Sequence, residues 1–124
     1  MKRNAMFILY VSDPSASARF YAGALGAPVI HDAPDFALLV LGDGVQLGLW
    51  RTADVTPAAG EATAAASELS VALPDADSLH ALHDRLRDAG APILQSVTAL
   101  DFGLNFTVAD PDGHRLRPYV PAAR

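Results

Sequence analysis

The chain has 124 residues, of which 51% are hydrophobic and 19% charged, a composition that predicts a packed globular domain. It contains no cysteine, which excludes disulfides, thiolate metal sites and cysteine nucleophiles. The formal net charge is −5, which argues against a nucleic-acid partner because phosphate binding requires a positively charged surface.

The first half of the chain predicts one strand, one helix and three further strands. The apolar run 7–11 is a strand, too short to cross a membrane and followed by no cleavage site, so we expect a cytoplasmic protein without a membrane partner. Asp13 and Pro14 are a helix-start pair, and Gly26 and Pro28 end that helix. The three strands that follow are predicted over residues 29–31, 36–41 and 45–51, the last two joined by a Gly-Asp-Gly turn.

The second half repeats this order after a change of composition. Residues 52–67 are rich in Ala, Thr, Gly and Pro without periodicity and are predicted to be a linker. A strand over 68–73 follows, and then a helix that begins near Asp75, carries a leucine stripe and ends at Gly90. Three more strands are predicted over residues 93–97, 104–109 and 114–120.

The repeated order indicates an internal duplication. The helix stop Gly26-Ala27-Pro28 recurs at the same place in the second half as Gly90-Ala91-Pro92. We therefore predict an α+β fold of two βαβββ modules, residues 1–51 and 68–124, that form a curved mixed sheet around a cleft in one compact domain.

Three segments resemble the vicinal oxygen chelate superfamily, which includes glyoxalases, bleomycin-resistance proteins and extradiol dioxygenases. They are residues 9–25 (Leu-Tyr-Val-Ser-Asp, then Arg-Phe-Tyr and Leu-Gly), the helix 79–90, and the closing hairpin 106–114 (Phe-Thr-Val-Ala-Asp-Pro-Asp-Gly-His). Within that superfamily the chain is most similar to phenazine-antibiotic resistance proteins. The similarity lies in short sequence motifs such as Gly48-Leu49-Trp50, Ser67-Glu68 and Phe102-Gly103. This resemblance implies that a small planar aromatic ligand is bound and sequestered by a homodimer, with a linker long enough to permit exchange of modules between chains.

The resemblance also locates four positions at which catalytic relatives hold a metal ion. They correspond here to Met6, Gly48, Glu68 and Arg117. Only Glu68 suits a hard divalent cation, and the guanidinium of Arg117 places a permanent positive charge beside it. We therefore expect neither a metal nor another cofactor. His80 and His83, one turn apart on the second helix, are predicted to lie on its solvated face.

Strand alternation from those four positions predicts which side chains line the cleft. The predicted ligand-binding residues are Tyr10, Ile8, Gln46, Gly48, Trp50, Glu68, Ser70, Phe102, Arg117 and Tyr119. Trp50 is either a stacking platform or core filler, and Gly48 beside it is predicted to leave space for a flat ligand. Glu68 and Arg117 are predicted to form an ion pair, the alternative being that both point to solvent. Phe102 is either a second wall opposite Trp50 or structural filler.

Three functions remain open from the sequence. The first is metal-free sequestration of a planar aromatic compound such as an antibiotic, in which case the protein is not an enzyme. The second is an enzyme of the lyase or dioxygenase type with an atypical site, or one that uses Glu68 as a general base. The third is a paralogue with a vestigial cleft that only dimerises or regulates.

Overall fold

The structure is a computed structural model that describes residues 4–61 and 64–122. Residues 1–3 and 123–124 of the predicted modules and residues 62–63 of the predicted linker lie outside the described residues. The chain divides into two compact units, Met1–Ala62 and Thr63–Arg124. The boundary between them falls within the segment that the sequence predicts to be a linker.

The first unit is a four-stranded mixed sheet with one helix. Its elements are β1 (Ala5–Val11), α1 (Pro14–Leu25), β2 (Val29–Asp32), β3 (Phe36–Gly42) and β4 (Val45–Arg51). The strand order is β1-β4-β3-β2, with β1 parallel to β4 and the other pairs antiparallel. The helix packs on one face of the sheet, and Tyr21, Leu39, Leu47 and Leu49 are fully buried.

The ends of α1 follow from local chemistry. The carboxylate of Asp13 accepts a hydrogen bond from the backbone N–H of Ala16 at 3.3 Å, which satisfies one of the free donors of the first turn. Gly26 adopts a left-handed φ of 64° and donates its N–H to the carbonyl of Ala22, which closes the last turn. The predicted bounds of this helix are confirmed.

The second unit repeats the same arrangement. Its elements are β5 (Glu68–Ala72), α2 (Ala76–Asp88), β6 (Ile93–Leu100), β7 (Gly103–Ala109) and β8 (Arg115–Pro121), in the order β5-β8-β7-β6. The carboxylate of Asp75 caps α2 by accepting from the N–H of Ser78 at 2.8 Å. Leu79, Leu82 and Leu86 are buried on α2, as the leucine stripe predicts, and Phe106 is fully buried in the sheet. The predicted α+β fold of two βαβββ modules is confirmed.

Two parts of the chain differ from the sequence prediction. Strand β6 continues to Leu100 because a register shift between Gln95 and Thr98 lets it keep pairing with β7. The predicted linker contains short 3₁₀ turns at Thr52–Asp54 and Ala64–Ala66, and Val55 is buried. That part of the linker is therefore ordered and packed.

His83 was predicted to be solvated, and this prediction is wrong. Its side chain is only 12% exposed, and its ring lies edge-on to Phe106 with 5.2 Å between centroids. The position four residues after Leu79 and next to Leu82 places it at the border of the buried stripe, where a ring reaches the sheet. His80 is exposed, as predicted.

Among the described residues, no helix is long and apolar enough to span a lipid bilayer.

Candidate functional site

In the first unit, strand register places the predicted residues on the face of the sheet that is opposite the buried core. Ile8 is paired with Gly48, and Tyr10 with Trp50; Phe36 is paired with Trp50 across the hairpin. We call this surface the first face and define it as Met6, Ile8, Tyr10, Phe36, Gln46, Gly48 and Trp50. The alternation predicted from the sequence is thus confirmed, whereas a ligand-binding role for these residues stays a prediction.

The first face is apolar, aromatic and open. Ile8 is 43% and Tyr10 39% exposed. The ring of Tyr10 lies edge-on to Trp50, with 6.4 Å between centroids and an interplanar angle of 81°. Trp50 is partly exposed and lies outside the buried core. An exposed group of rings of this kind is the usual wall of a site for small aromatic molecules.

The space predicted beside Gly48 is filled. A Cβ built on Gly48 would lie 2.8 Å from Cζ of Phe36 and 3.1 Å from the sulfur of Met6. The ring of Phe36 therefore lies across the bare backbone, so the expectation of an empty slot at Gly48 was wrong. The sequence did not reveal this contact because the β3–β4 register depends on an irregularity between Val40 and Gly42.

Gln46 is at the other end of β4 from Trp50. It lines a cavity of about 310 Å³ beside the hairpin, together with Asn4, Val40, Gly42, Gly44 and Val45. Next to Trp50, Nε of Arg51 donates to Asp54 at 2.6 Å, and this hydrogen bond raises the pKa of Arg51 above its ordinary value. The aromatic rings and the cavity beside the hairpin thus lie at opposite ends of β4.

In the second unit, register again brings the predicted residues to one face. Glu68 is paired with Arg115 and Ser70 with Arg117, while Tyr119 is paired with Asn105. We call this surface the second face and define it as Glu68, Ser70, Asn105, Thr107, Arg115, Arg117 and Tyr119. Asn105 and Thr107 were not predicted from the sequence, whereas strand alternation from Arg117 also predicts Arg115 on this face.

Glu68 and Arg117 form the predicted ion pair. Nε of Arg117 donates to Oε1 of Glu68 at 2.7 Å and Nη2 donates to Oε2 at 3.2 Å. The side chains are 17% exposed for Arg117 and 35% for Glu68. A bidentate, partly buried pair is more directional than a surface ion pair, and the alternative that both residues point to solvent is excluded.

A buried amide fixes the rest of the Arg117 side chain. Nη1 donates to Oδ1 of Asn105 at 2.8 Å and to Oε1 of Gln95 at 3.2 Å. Asn105 is fully buried, and its Nδ2 donates to the carbonyls of Thr98 and Gly103. A single buried asparagine bonded to an arginine on the next strand gives no periodic signal in a sequence, so this network was missed.

The remaining predicted residues also lie on or beside the second face. The hydroxyl of Ser70 donates to the carbonyl of Arg117 at 2.8 Å, so its role in the structure is to tie β5 to β8. Phe102 is 46% exposed and lies edge-on to Tyr119 with 6.0 Å between centroids. Phe102 therefore lies outside the buried core, and its role as a second wall stays a prediction.

The residues at the four positions implied by the resemblance do not fit a divalent metal. In the first unit they are a thioether and a glycine covered by a ring. In the second unit, both oxygens of Glu68 accept hydrogen bonds from Arg117. Hard or borderline divalent cations need several oxygen or nitrogen ligands, and the described residues include no group of three or more His, Asp or Glu that could hold one.

The chain consists of two βαβββ units, each with one helix packed on a four-stranded mixed sheet. This duplicated module defines the class of protein to which the chain belongs. Residues 4–117 match the model of the Glyoxalase/Bleomycin resistance protein/Dioxygenase superfamily. The chain belongs to this superfamily, whose name covers both enzymes and resistance proteins.

Solved structures agree with this assignment. Protein ATC0852 from Agrobacterium tumefaciens is 36% identical, with a TM-score of 0.85 over 99% of this chain and 100% of that one. A glyoxalase-related enzyme from Fulvimarina pelagi is 27% identical, with a TM-score of 0.81 over 97% of this chain and 88% of that one. A family enzyme from Burkholderia phytofirmans PsJN is 16% identical, with a TM-score of 0.85 over 98% and 100% of the two chains, and it shares the fold. No curated protein shows a significant sequence match.

Proposed function

We propose that the chain binds and sequesters a small planar aromatic compound of the phenazine type, without a metal and without catalysing a reaction. The observation that carries this proposal is the open aromatic group on the first face, in which Tyr10 lies edge-on to Trp50 and the strand position paired with Trp50 is Phe36. Stacking of a flat heterocycle on such rings contributes about 1–3 kcal/mol for each ring contact, judging from base–aromatic pairs.

The affinity expected for such a ligand is modest. A compound of about 20 heavy atoms that gains about 0.3 kcal/mol per atom reaches about 6 kcal/mol, which corresponds to a Kd of tens of micromolar. That affinity suffices for sequestration where the protein is abundant. Sequestration of a toxic aromatic compound would confer resistance to it.

The chemistry of the second face argues against the enzymatic alternative with Glu68 as base. A general base loses its negative charge when it takes up the substrate proton, so Glu68 would have to give up its ion pair with Arg117. Both oxygens of Glu68 are engaged by the permanently charged guanidinium of Arg117. We therefore propose that Glu68, Ser70 and Arg117 organise the second face and contact a ligand without chemistry.

The test is a titration with a substituted phenazine. Trp50 is the only tryptophan, so saturable quenching of its emission reports binding to the first face. We expect Trp50→Leu, measured by calorimetry, to weaken binding by about ten- to a hundredfold, equivalent to about 1–3 kcal/mol.

Phe7 provides the matched control. It is an exposed aromatic residue on the same strand, 56% exposed, and strand alternation places it on the opposite side of the sheet from Ile8. Phe7→Leu should leave binding unchanged. Absence of saturable binding, or equal affinity of the Trp50→Leu and wild-type proteins, would reject the proposal.

We also propose that the protein is a homodimer, from the family resemblance and from the edge strand β1. β1 is an outer strand of its sheet. Edges of this kind are usually covered in native proteins. Sedimentation equilibrium should show twice the monomer mass of 13.0 kDa, and a monomer at high concentration would contradict this.

A further inference from the structure

Four aromatic rings form a row across the first sheet, one from each strand. Tyr10 of β1 is paired with Trp50 of β4, and Trp50 is paired with Phe36 of β3. The fourth ring is the imidazole of His31 in β2, whose centroid lies 6.5 Å from that of Phe36 at an interplanar angle of 43°. Neighbouring strands are about 4.8 Å apart, so the row extends over about 14 Å.

Strand register places His31 on the side of the sheet that carries the first face. It is paired with Leu38, and Leu38 is paired with Gly48, a residue of the first face. Side chains at paired positions point to the same side of a sheet. A register shift between Val29 and His31 interrupts the alternation of β2, so the sequence pattern did not place His31 on this side.

The imidazole of His31 is open to solvent. The residue is exposed, and within residues 4–61 and 64–122 no hydrogen bond or ion pair engages its nitrogens. The neighbouring carboxylate, Asp32, is turned to the helix side of the sheet, where the hydroxyl of Ser15 donates to it at 2.6 Å. His31 therefore presents its ring nitrogens to a ligand on the first face.

We infer that His31 is a specificity-determining residue of the aromatic site, and that the ligand carries an uncharged group that both donates and accepts hydrogen bonds, such as a hydroxyl. This inference rests on the proposed function for the stacking of the ligand rings. A neutral imidazole offers one N–H donor and one nitrogen acceptor, and a hydroxyl offers the same two functions. The carboxylates of Asp32 and Asp35, in the same β2–β3 hairpin, disfavour an anionic group at this position.

The order of the rings determines which part of the ligand reaches His31. Trp50 and Phe36 lie in the middle of the row, and Tyr10 and His31 lie at its ends. A planar compound that stacks on the two middle rings brings one end of its ring system to His31. The hydroxyl group is therefore expected at the end of the ring system.

The experiment compares 2-hydroxyphenazine with 2-methylphenazine, which have nearly the same shape and differ in one hydroxyl group. Titrations followed by Trp50 emission should show that the wild-type protein binds the hydroxyl compound about fivefold more tightly, equivalent to about 1 kcal/mol for one hydrogen bond. His31→Phe keeps a ring beside Phe36 and removes both nitrogens. This variant should bind the two compounds equally, with its affinity for 2-methylphenazine unchanged.

His80→Phe is the matched control, because His80 is an exposed histidine of α2 in the second unit. Its substitution should leave the fivefold preference intact. Equal binding of the two compounds by the wild-type protein, or a preference that survives His31→Phe, would overturn the role of His31. A loss of the preference in His80→Phe to the same extent would overturn it as well.

A second measurement separates this inference from the proposed function. If neither phenazine compound binds, the proposed function fails, and phenol and toluene, which also differ by a hydroxyl in place of a methyl group, decide the role of His31. Each is titrated into the wild-type protein while the ring C–H signals of His31, assigned by their absence in His31→Phe, are followed by NMR. A saturable shift with phenol but not with toluene supports the inference, and the lack of such a difference overturns it.

Discussion

The two sheets carry opposite kinds of side chain at one equivalent position, an absent side chain in the first unit and a charged one in the second. Gly48 in β4 and Arg117 in β8 occupy equivalent register positions, paired with Ile8 and with Ser70 of the respective parallel edge strands. In the first unit a ring from β3 covers the glycine. In the second unit an amide from β7, Asn105, holds the arginine. Phe36 and Asn105 are themselves equivalent, since they pair with Trp50 and with Tyr119.

A duplicated backbone can thus diverge at single positions into an apolar surface and a hydrogen-bonded one. The first face presents aromatic rings, and the second face presents donors and acceptors that hydrogen bonds hold in place. Substitutions in each unit test how far this division holds.

Asn105→Leu should have the largest effect on stability. It removes three hydrogen bonds from a fully buried position and leaves part of the Arg117 guanidinium unsatisfied. We expect a loss of about 2–4 kcal/mol in the free energy of unfolding, measured by urea denaturation followed by circular dichroism. The equivalent Phe36→Leu, at a partly exposed position, should cost about 1 kcal/mol. Equal losses would contradict the division between the two faces.

Glu68→Gln should have the next largest effect. It leaves Arg117 without its counter-charge, and because Glu68 is 35% exposed water compensates part of the loss, so we expect about 1–2 kcal/mol. Asp54→Asn breaks the ion pair of the first unit with Arg51, in which both side chains are more exposed. The free energy of unfolding of that control should match that of the wild-type protein. A comparable loss of stability in both variants would show that the other hydrogen bonds of Arg117 do not strengthen its ion pair with Glu68.

Gly48→Ala should destabilise the first unit by about 1 kcal/mol, because the new Cβ would meet Cζ of Phe36 at 2.8 Å and displace the ring. Gly23→Ala provides a control of opposite sign. A Cβ at Gly23 meets nothing within 4 Å, and alanine is favoured over glycine inside a helix by about 0.5–1 kcal/mol. Thermal unfolding should therefore order the proteins as Gly23→Ala, wild type, Gly48→Ala, and any other order would argue against the contact with Phe36.

The smallest expected effect is on the pH dependence of the stability, through the helix cap Asp75. The hydrogen bonds from Ser78 lower the pKa of Asp75 below its ordinary value of 3.8. A carboxyl whose pKa is lowered by folding stabilises the folded state above the ordinary pKa, and this contribution is lost as the pH falls through the folded value. Asp75→Asn keeps a good helix cap and removes the charge. Stability curves of the two proteins should thus converge toward acidic pH, and parallel curves from pH 6 to about pH 2 would contradict the assignment.

The sequence predicted the parts of the molecule that depend on local patterns. The bounds of the helices were predicted from the capping residues Asp13 and Asp75 and from the glycines Gly26 and Gly90. Strand alternation placed Tyr10 and Trp50 on one face, and it placed Glu68 and Arg117 on another. The contacts that the sequence did not predict join strands whose register is irregular. Phe36 reaches Gly48, and Gln95 reaches Arg117, only after β-bulges that have no clear sequence signal. His83 was misplaced because a borderline helix position is decided by the partner ring, Phe106.

The single tryptophan has a practical consequence for any study of this protein. Trp50 lies in the first unit, and the second unit contains none. Intrinsic emission thus originates entirely from one half of the duplication, whereas the far-ultraviolet signal of α1 and α2 samples both. If the halves melt at different temperatures, the two spectroscopic transitions will separate, and the gap between them will measure how strongly the halves cooperate in unfolding.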